Sequence, residues 1–477
     1  MTDQQYLLAY LLLLAYPSVA LVQEITGTPS VTTSSVQLVG PNNHVVVCGT
    51  YSGNLALDRT TTFSDVSTLP TFFVALFDQQ HAVRAFVRSS GNCEARCVDA
   101  QMHDNDLFVL GQFASLTWDG SESECYVGGA ALNSTLGGDG GFLTHIDLAA
   151  AEAAAAAGSE TPSETHVIAS TAPEEAGGFL ELVGLGVQFT VGVALNCRGH
   201  CALGLRIADT PLFLTEFNST TESLPLLIWF RTKAVGTYRP TVRKLTPRDN
   251  SYTHGRAVAI NSRREANTVL LSGTLASDGV TPVAVMWRLQ TVAHFSDSLD
   301  VQYAYIIAKN ATAAAIIEDI NVVNSGIIVA LHTTGLATFL SNPWNNHYEH
   351  HHETLGSQDA VLCKFNIAGT LQWRRPFGAV GSHATVTDVV TNNAGLLWLV
   401  GHFLGPQLQV GDTTITTTTA TATNPTVFYS RITFHGDWVG AATIKDSNTI
   451  HQDAGFASVD PAGKVISIAS RDRYAID

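Results

Sequence analysis

One short pattern returns about every 70 residues along this chain, and a fixed period constrains the fold more than any single residue can. The segments Phe73-Val-Ala-Leu-Phe-Asp78, Phe142-Leu-Thr-His-Ile-Asp147 and Phe213-Leu-Thr-Glu-Phe-Asn218 share one layout. Val285-Met-Trp-Arg-Leu-Gln290, Val361-Leu-Cys-Lys-Phe-Asn366 and Phe428-Tyr-Ser-Arg-Ile-Thr433 repeat it, so successive starts lie 69, 71, 72, 76 and 67 residues apart. A second pattern precedes the first. Val45-Val-Val-Cys-Gly49, Leu107-Phe-Val-Leu-Gly111, Val269-Leu-Leu-Ser-Gly273 and Leu397-Trp-Leu-Val-Gly401 are its clear copies. Gln188–Gly192, Ile327–Leu331 and Val465–Ala469 are weaker ones. Short β-rich runs bounded by turn residues are strands, and the closing glycine permits a bulge or a close backbone approach.

A third strand follows each first pattern across a tight turn, as at Leu371-Gln-Trp373 and Asp437-Trp-Val439. A fourth precedes each glycine-ended one, as at Thr385–Val390. Four antiparallel strands per period is a propeller blade. The expected fold class is therefore all-β: a seven-bladed β-propeller of four-stranded antiparallel blades. Seven glycine-type strands but only six internal copies of the first pattern place the last blade at the chain ends. Leu21–Thr26 and Arg473–Asp477 would complete it together and leave no open sheet edge. The expected blades are 31–91, 92–173, 174–249, 250–310, 311–378, 379–446, and 447–477 plus 21–30. All lie in one domain, 21–477, with six blades and a loose terminal hairpin as the alternative.

The stretch Gln358-Asp-Ala-Val-Leu-Cys-Lys-Phe-Asn-Ile-Ala-Gly-Thr-Leu-Gln-Trp373, with Asp388 and Asn393-Ala-Gly395-Leu-Leu-Trp398-Leu-Val-Gly401, carries the pattern best. It resembles the SBBP family, the seven-bladed β-propeller repeats of exported proteins, over about residues 31–477. The resemblance implies an extracellular or surface-displayed propeller. It rests on strand and turn positions and brings no catalytic residues with it.

Composition agrees. Hydrophobic residues make up 45% and charged residues 14%, enough for a core and unlike a disordered chain. A net charge of −16 without a basic stripe excludes a nucleic-acid partner. The apolar run Tyr6–Tyr16 is too short to cross a bilayer as a helix. With small residues Ser18 and Ala20 behind it, the run reads as a signal peptide over 1–20, although Met1–Gln5 has no basic residue. The other reading makes it a strand of the fold.

Asn133, Asn218 and Asn310 begin N-glycosylation triplets. Two Asn-Cys-x3-Cys frames, Cys93/Cys97 and Cys197/Cys201, read as local disulfides of an exported chain. Cys48, Cys125 and Cys363 remain, and the odd total of seven leaves a free thiol, expected at a buried Cys363.

Three insertions decorate the frame: an alanine tract at 149–158, a threonine-rich stretch at 413–426, and residues 339–356. The last holds His347, His350, His351 and His352 as metal candidates, and Trp344 and Tyr348 as a glycan- or protein-binding patch. Adjacent histidines in a loop more often make a solvated tract than a built site. Asp78, Asp147 and Asp477 read as turn caps, and Asp319 and Asp388 as acceptors for buried amides. Serine-nucleophile, zinc-protease and phosphate-loop signatures are absent. The expectation is a secreted binding or structural module with no cofactor and no membrane span, meeting protein or glycan at a cell, matrix or particle surface through its loops. The alternative is a polysaccharide hydrolase or lyase with loop carboxylates at the propeller axis.

Overall fold

The computed structural model describes the chain apart from residues 1–4, 14–20, 40–43, 58–61, 65–68, 79–81, 116–124, 133–137, 159–160, 172–178, 188–189, 208–209, 212–214, 232–240, 245–251, 263–266, 277–282, 292–298, 310–314, 324–325, 341–348, 367, 392–394, 418–424, 444–453, 460–464 and 472–477. The described residues are all-β except for one helix, Leu148–Ala156, which the Asp147 carboxylate caps by accepting from the amides of Ala149 and Ala150. That helix is the alanine tract. No helix among the described residues is long and apolar enough to cross a membrane.

The chain forms two compact units, Met1–Lys244 and Leu245–Asp477. Both are built from one four-strand antiparallel repeat. In the first unit the repeat occurs as Leu21–Val39, His44–Ala56, Thr71–Phe77 and Val83–Gly91. It recurs as Cys93–His103, Asp106–Ser115, Gly140–Asp147 and Glu164–Thr171. The third copy is Phe179–Val187, Thr190–Ile207, Thr215–Arg231 and Thr241–Lys244.

In the second unit the fourth copy is Tyr252–Ser262, Asn267–Ala276, Val283–Thr291 and Leu299–Lys309. The fifth is Ala315–Val323, Gly326–Thr333, Asp359–Phe365 and Leu371–Gly378. The sixth is His383–Thr391, Leu396–Leu404, Thr426–Thr433 and Trp438–Thr443. A two-stranded remainder sits near each chain end: Gln5–Leu13 against Leu21–Gly27, and Ala454–Val459 against Val465–Arg471. The expected strand at Arg473–Asp477 lies outside the described residues, as does the expected cleavage point after Ala20.

Two rules recur. First, every first strand shifts register at the same place, between Thr33/Ser35, Cys97/Asp99, Leu182/Gly184, Gly255/Ala257, Ile317/Asp319 and Val386/Asp388. The residue before each bulge faces Gly49, Gly111, Leu195, Gly273, Leu331 or Gly401 on the second strand. Those residues in turn face Phe73, Phe142, Leu226, Val285, Val361 and Phe428 on the third. A Cβ on Gly111 would overlap the Phe142 ring, and one on Gly401 the Thr385 carbonyl oxygen and the Phe428 ring. Glycine and phenylalanine therefore recur together because one makes room for the other.

This register corrects one copy of the sequence pattern. Thr215–Asn218, the described part of that copy, does not supply the third strand of its repeat: Leu226 takes that position opposite Leu195, and Thr215–Asn218 pairs with His200–Leu203 in an outward hairpin. A six-residue resemblance carried less information than the bulge that sets the register.

Second, a hairpin inserted between the second and third strands lies against the outermost strand of the preceding repeat. Cys125–Ala131 lies on Val83–Gly91, Gly199–Ser219 on Glu164–Thr171, Leu336–Glu353 on Leu299–Lys309, and Gln407–Thr416 on Leu371–Gly378. In the first repeat, Thr50–Ala56 lies in the same manner on Thr26–Thr32.

Sheets pack face to face within a unit. Val46, Phe72 and Val74 meet Ala95, Leu107 and Phe142. Leu110 and Ile168 meet Leu182, Val193 and Ile228, and Ile328 and Leu362 meet Val386, Leu399 and Phe428. Burial on both faces explains why Thr71–Phe77 and Asp359–Phe365 are buried at every position and show no alternation.

Candidate functional site

The histidine-rich insertion is the hairpin Leu336–Leu340 and Glu349–Glu353. Its tip, with Trp344, His347 and Tyr348, lies outside the described residues. Pleating divides the remaining histidines, because successive side chains of a strand point to opposite faces. His350 faces Phe339 and His352 faces Ala337, whereas His351 faces Thr338 from the other side. His351 Nδ1 lies 3.1 Å from Thr338 Oγ1, and its carbonyl accepts from Arg374 Nη2.

His352 is engaged elsewhere: its Nε2 lies 3.0 Å from Oδ2 of the fully buried Asp359. The same carboxylate accepts from the amides of Leu355 (3.0 Å) and Gly356 (3.4 Å). Gly378 leaves the space it occupies, since a Cβ there would overlap it. The His352–Asp359 pair thus holds the hairpin base to the third strand. Among the described residues, no group of three or more His, Cys, Asp or Glu side chains is placed to hold a metal ion.

Two acids beside the first-strand bulges serve as acceptors for backbone amides. Asp319 follows the bulge of the fifth repeat and accepts from its neighbour Ile320 (2.7 Å) and from Val389 of the sixth repeat (2.9 Å). Asp99 does the same in the second repeat, from Ala100 (2.7 Å) and from Leu185 of the third (3.1 Å). Two residues on, Gln101 accepts from Val187 and Asn321 donates to the Val389 carbonyl. An Asp-x-Gln/Asn triplet just past the bulge is therefore a latch between neighbouring first strands. Sequence reasoning identified Asp319 as an amide acceptor and missed Asp99, Gln101 and Asn321. Their signal was the shared triplet. Burial raises the Asp319 pKa to about 6, against the lowering effect of the two amides.

Of the expected turn caps, Asp78 takes that role, Asp147 caps the helix, and Asp477 lies outside the described residues. Asp78 accepts from the Ala82 amide (2.9 Å) and pairs with Arg84, and Asn366 accepts from Thr370 (2.8 Å). The repeated Lys and Trp of the best-preserved stretch also have a structural use. Lys364 Nζ and Trp373 Nε1 both donate to the Phe434 carbonyl, at 2.9 and 3.0 Å. Arg375 donates to the Gly436 carbonyl at 2.6 Å. Three side chains of the fifth repeat thus grip one turn of the sixth, and desolvation lowers the Lys364 pKa.

Cysteine chemistry departs from expectation at one frame. Cys97 pairs with Cys48 and Cys93 with Cys125, so no local Cys93–Cys97 bridge exists. Residues four apart on a regular strand are separated by about 13 Å, beyond the reach of a disulfide. Cys197 and Cys201 do pair, at a Cα separation of 6.4 Å, because the strand bulges between them at Gly199, whose φ is +81°. Cys363 is free and buried, and burial pushes its thiol pKa up. Asn218 lies on a strand opposite His200, whereas Asn133 and Asn310 fall outside the described residues.

Four large apolar side chains are exposed among the described residues, Leu336, Leu355, Val380 and Val439. Leu336, Leu355 and Val380 are 51%, 59% and 77% exposed. Hydrogen bonds from Thr354 to Gly335 and from Ser357 to Ser382 bring their three loops to one end of the fifth repeat. No protein-family model matches the chain, and no curated protein is significantly similar to it.

Proposed function

We propose that this chain is an exported seven-bladed β-propeller of the SBBP-repeat type. It acts as a non-catalytic binding or structural module that meets protein or glycan at a cell, matrix or particle surface. One observation carries the reading: the carboxylates of Asp99 and Asp319 are spent on holding neighbouring repeats together, while the hairpin Leu336–Glu353 has the exposed side chains of Leu336 and Leu355 at its base.

Six described repeats, with the strand pair Ala454–Val459 and Val465–Arg471 left over beside them, support a seventh blade. The docking of Thr50–Ala56 on Thr26–Thr32 supports a fourth-strand role for the segment after Leu21. Export is supported by three disulfides, which persist in oxidising compartments. In this reading residues 1–20 are a leader and Arg473–Asp477 supplies the missing third strand; the second reading, in which Gln5–Leu13 is a strand of the fold, is favoured by its pairing with Leu21–Gly27.

The test is a hairpin exchange. Residues 341–348, with Trp344, His347 and Tyr348, are replaced by a Gly-Ser linker, and binding to source-cell surface and to a glycan array is measured beside thermal melting. Loss of binding at unchanged melting temperature is expected. Unchanged binding, or polysaccharide cleavage that disappears in an acid-to-amide variant, would overturn the reading.

A further inference from the structure

Two of the inserted hairpins are equivalent in the fold and differ in how their outer edges are protected. Glu349–Glu353 is the outermost strand of the fourth sheet, with the sequence Glu-His-His-His-Glu. Thr413–Thr416 is the outermost strand of the fifth sheet, Thr-Thr-Ile-Thr. An open edge templates pairing with another chain, and charge on the edge is one way in which proteins prevent this. The first strand has that charge. The second lacks it.

The surrounding sequence makes the contrast stronger. From Thr413 to Thr426 nine of fourteen residues are threonine, none is charged, and the sole proline comes at position 425. Uncharged β-branched runs of this kind are prone to edge-to-edge association. Ile415 turns inward and is buried, while Thr413, Thr414 and Thr416 are exposed. Thr414 donates to Gln409. The hydroxyls of Thr413 and Thr416 have no hydrogen bond among the described residues.

We propose that this edge is protected by O-linked glycan, with Thr413 and Thr416 as the acceptors. The inference rests on the export reading, since the modification belongs to the secretory route. Threonine-rich tracts ending near proline have the composition of O-glycosylated segments. A hydrated sugar on an outward hydroxyl would bar a partner strand as a charge does. In the transfer, threonine Oγ attacks the anomeric carbon of a nucleotide sugar. The Oγ–C1 bond forms, the C1–oxygen bond to the nucleoside diphosphate breaks, and the hydroxyl proton leaves with the diphosphate.

Peptide mass mapping of the full chain recovered from the medium of its source cells tests this. Hexose or N-acetylhexosamine increments are expected on the 413–426 peptide, and β-elimination converts each modified threonine to its dehydro form. Combined Thr413→Ala and Thr416→Ala changes should remove the increments from these two positions without changing the melting temperature. A bare tract alongside N-glycan at Asn133, Asn218 or Asn310 overturns the inference and leaves export standing. A bare tract in a chain kept inside the cell, with all three asparagines bare, overturns both. A bare tract with dimers that dissociate when Ile415→Lys is introduced assigns the edge to strand pairing instead.

Discussion

Asn92-Cys93-x3-Cys97 and Asn196-Cys197-x3-Cys201 are the same frame in sequence and opposite outcomes in structure. On the regular stretch Cys93–Cys97, ahead of the bulge, the two thiols are carried too far apart and each finds a distant partner, Cys125 and Cys48. On the strand Thr190–Ile207 a bulge at Gly199 folds the backbone back, and the local bridge closes. The difference lies in register, not in residue type. The same holds for the repeats themselves: the third copy keeps the first-strand bulge with Leu195 and Leu226 where the second has Gly111 and Phe142.

The largest effect separates the two bridges. Replacing Cys48 and Cys97 by alanine opens a link across 49 residues and should cost about 4 kcal/mol in chemical denaturation. Replacing Cys197 and Cys201, four residues apart, should cost about 2 kcal/mol. Equal losses would remove the distinction. Next, Gly111→Val drives a branched side chain into the Phe142 ring and should destabilise by about 3 kcal/mol or more. A double-mutant cycle with Phe142→Ala should recover part of that loss. Additivity would mean that the pairing of glycine with phenylalanine is incidental.

Asp319→Ala leaves two buried amides without an acceptor, for a loss of about 2–3 kcal/mol. Its pH signature has a definite sign. The folded pKa, about 6, lies above the ordinary 3.8, so the folded state binds the proton more tightly than the unfolded chain. The associated stability is present in full below pH 3.8 and is lost as pH rises through about 6. Urea midpoints measured between those limits should show this fall in the parent chain and lack it in Asp319→Asn. An unchanged slope would place the carboxylate outside the latch. The smallest effect is Gly199→Ala, where the left-handed backbone disfavours a side chain by about 1 kcal/mol. It should also slow closure of the Cys197–Cys201 bridge, read as free thiol during refolding.

Strand positions were legible from the sequence because the register forces a residue choice. Gly49, Gly111, Gly273 and Gly401 sit opposite the third strand, where a Cβ on Gly111 or Gly401 would overlap Phe142 or Phe428; Asp78 caps the turn assigned to it, whereas Asp147 caps the helix of the alanine tract. The third copy was misread at Phe213–Asn218 because no glycine marks its register. Cysteine partners were illegible where strands of different repeats bring them together, as with Cys48 and Cys97. The candidate site was legible only as composition. Four histidines in six positions look like one cluster until the pleat sends His351 to one face and His350 and His352 to the other.

The central proposition is that the half-repeat begun at Leu21 and the half-repeat ending the chain share a sheet. Amide hydrogen exchange on a chain starting at Leu21, with and without residues 472–477, tests it most directly. The account predicts matched slow exchange in Leu21–Thr26 and Val465–Arg471, lost in both segments together when the last six residues are removed. Independent exchange in the two segments, or fast exchange in Leu21–Thr26 of the chain that lacks Gln5–Leu13, would contradict it. The second outcome would make the apolar run a strand of the fold and not a leader.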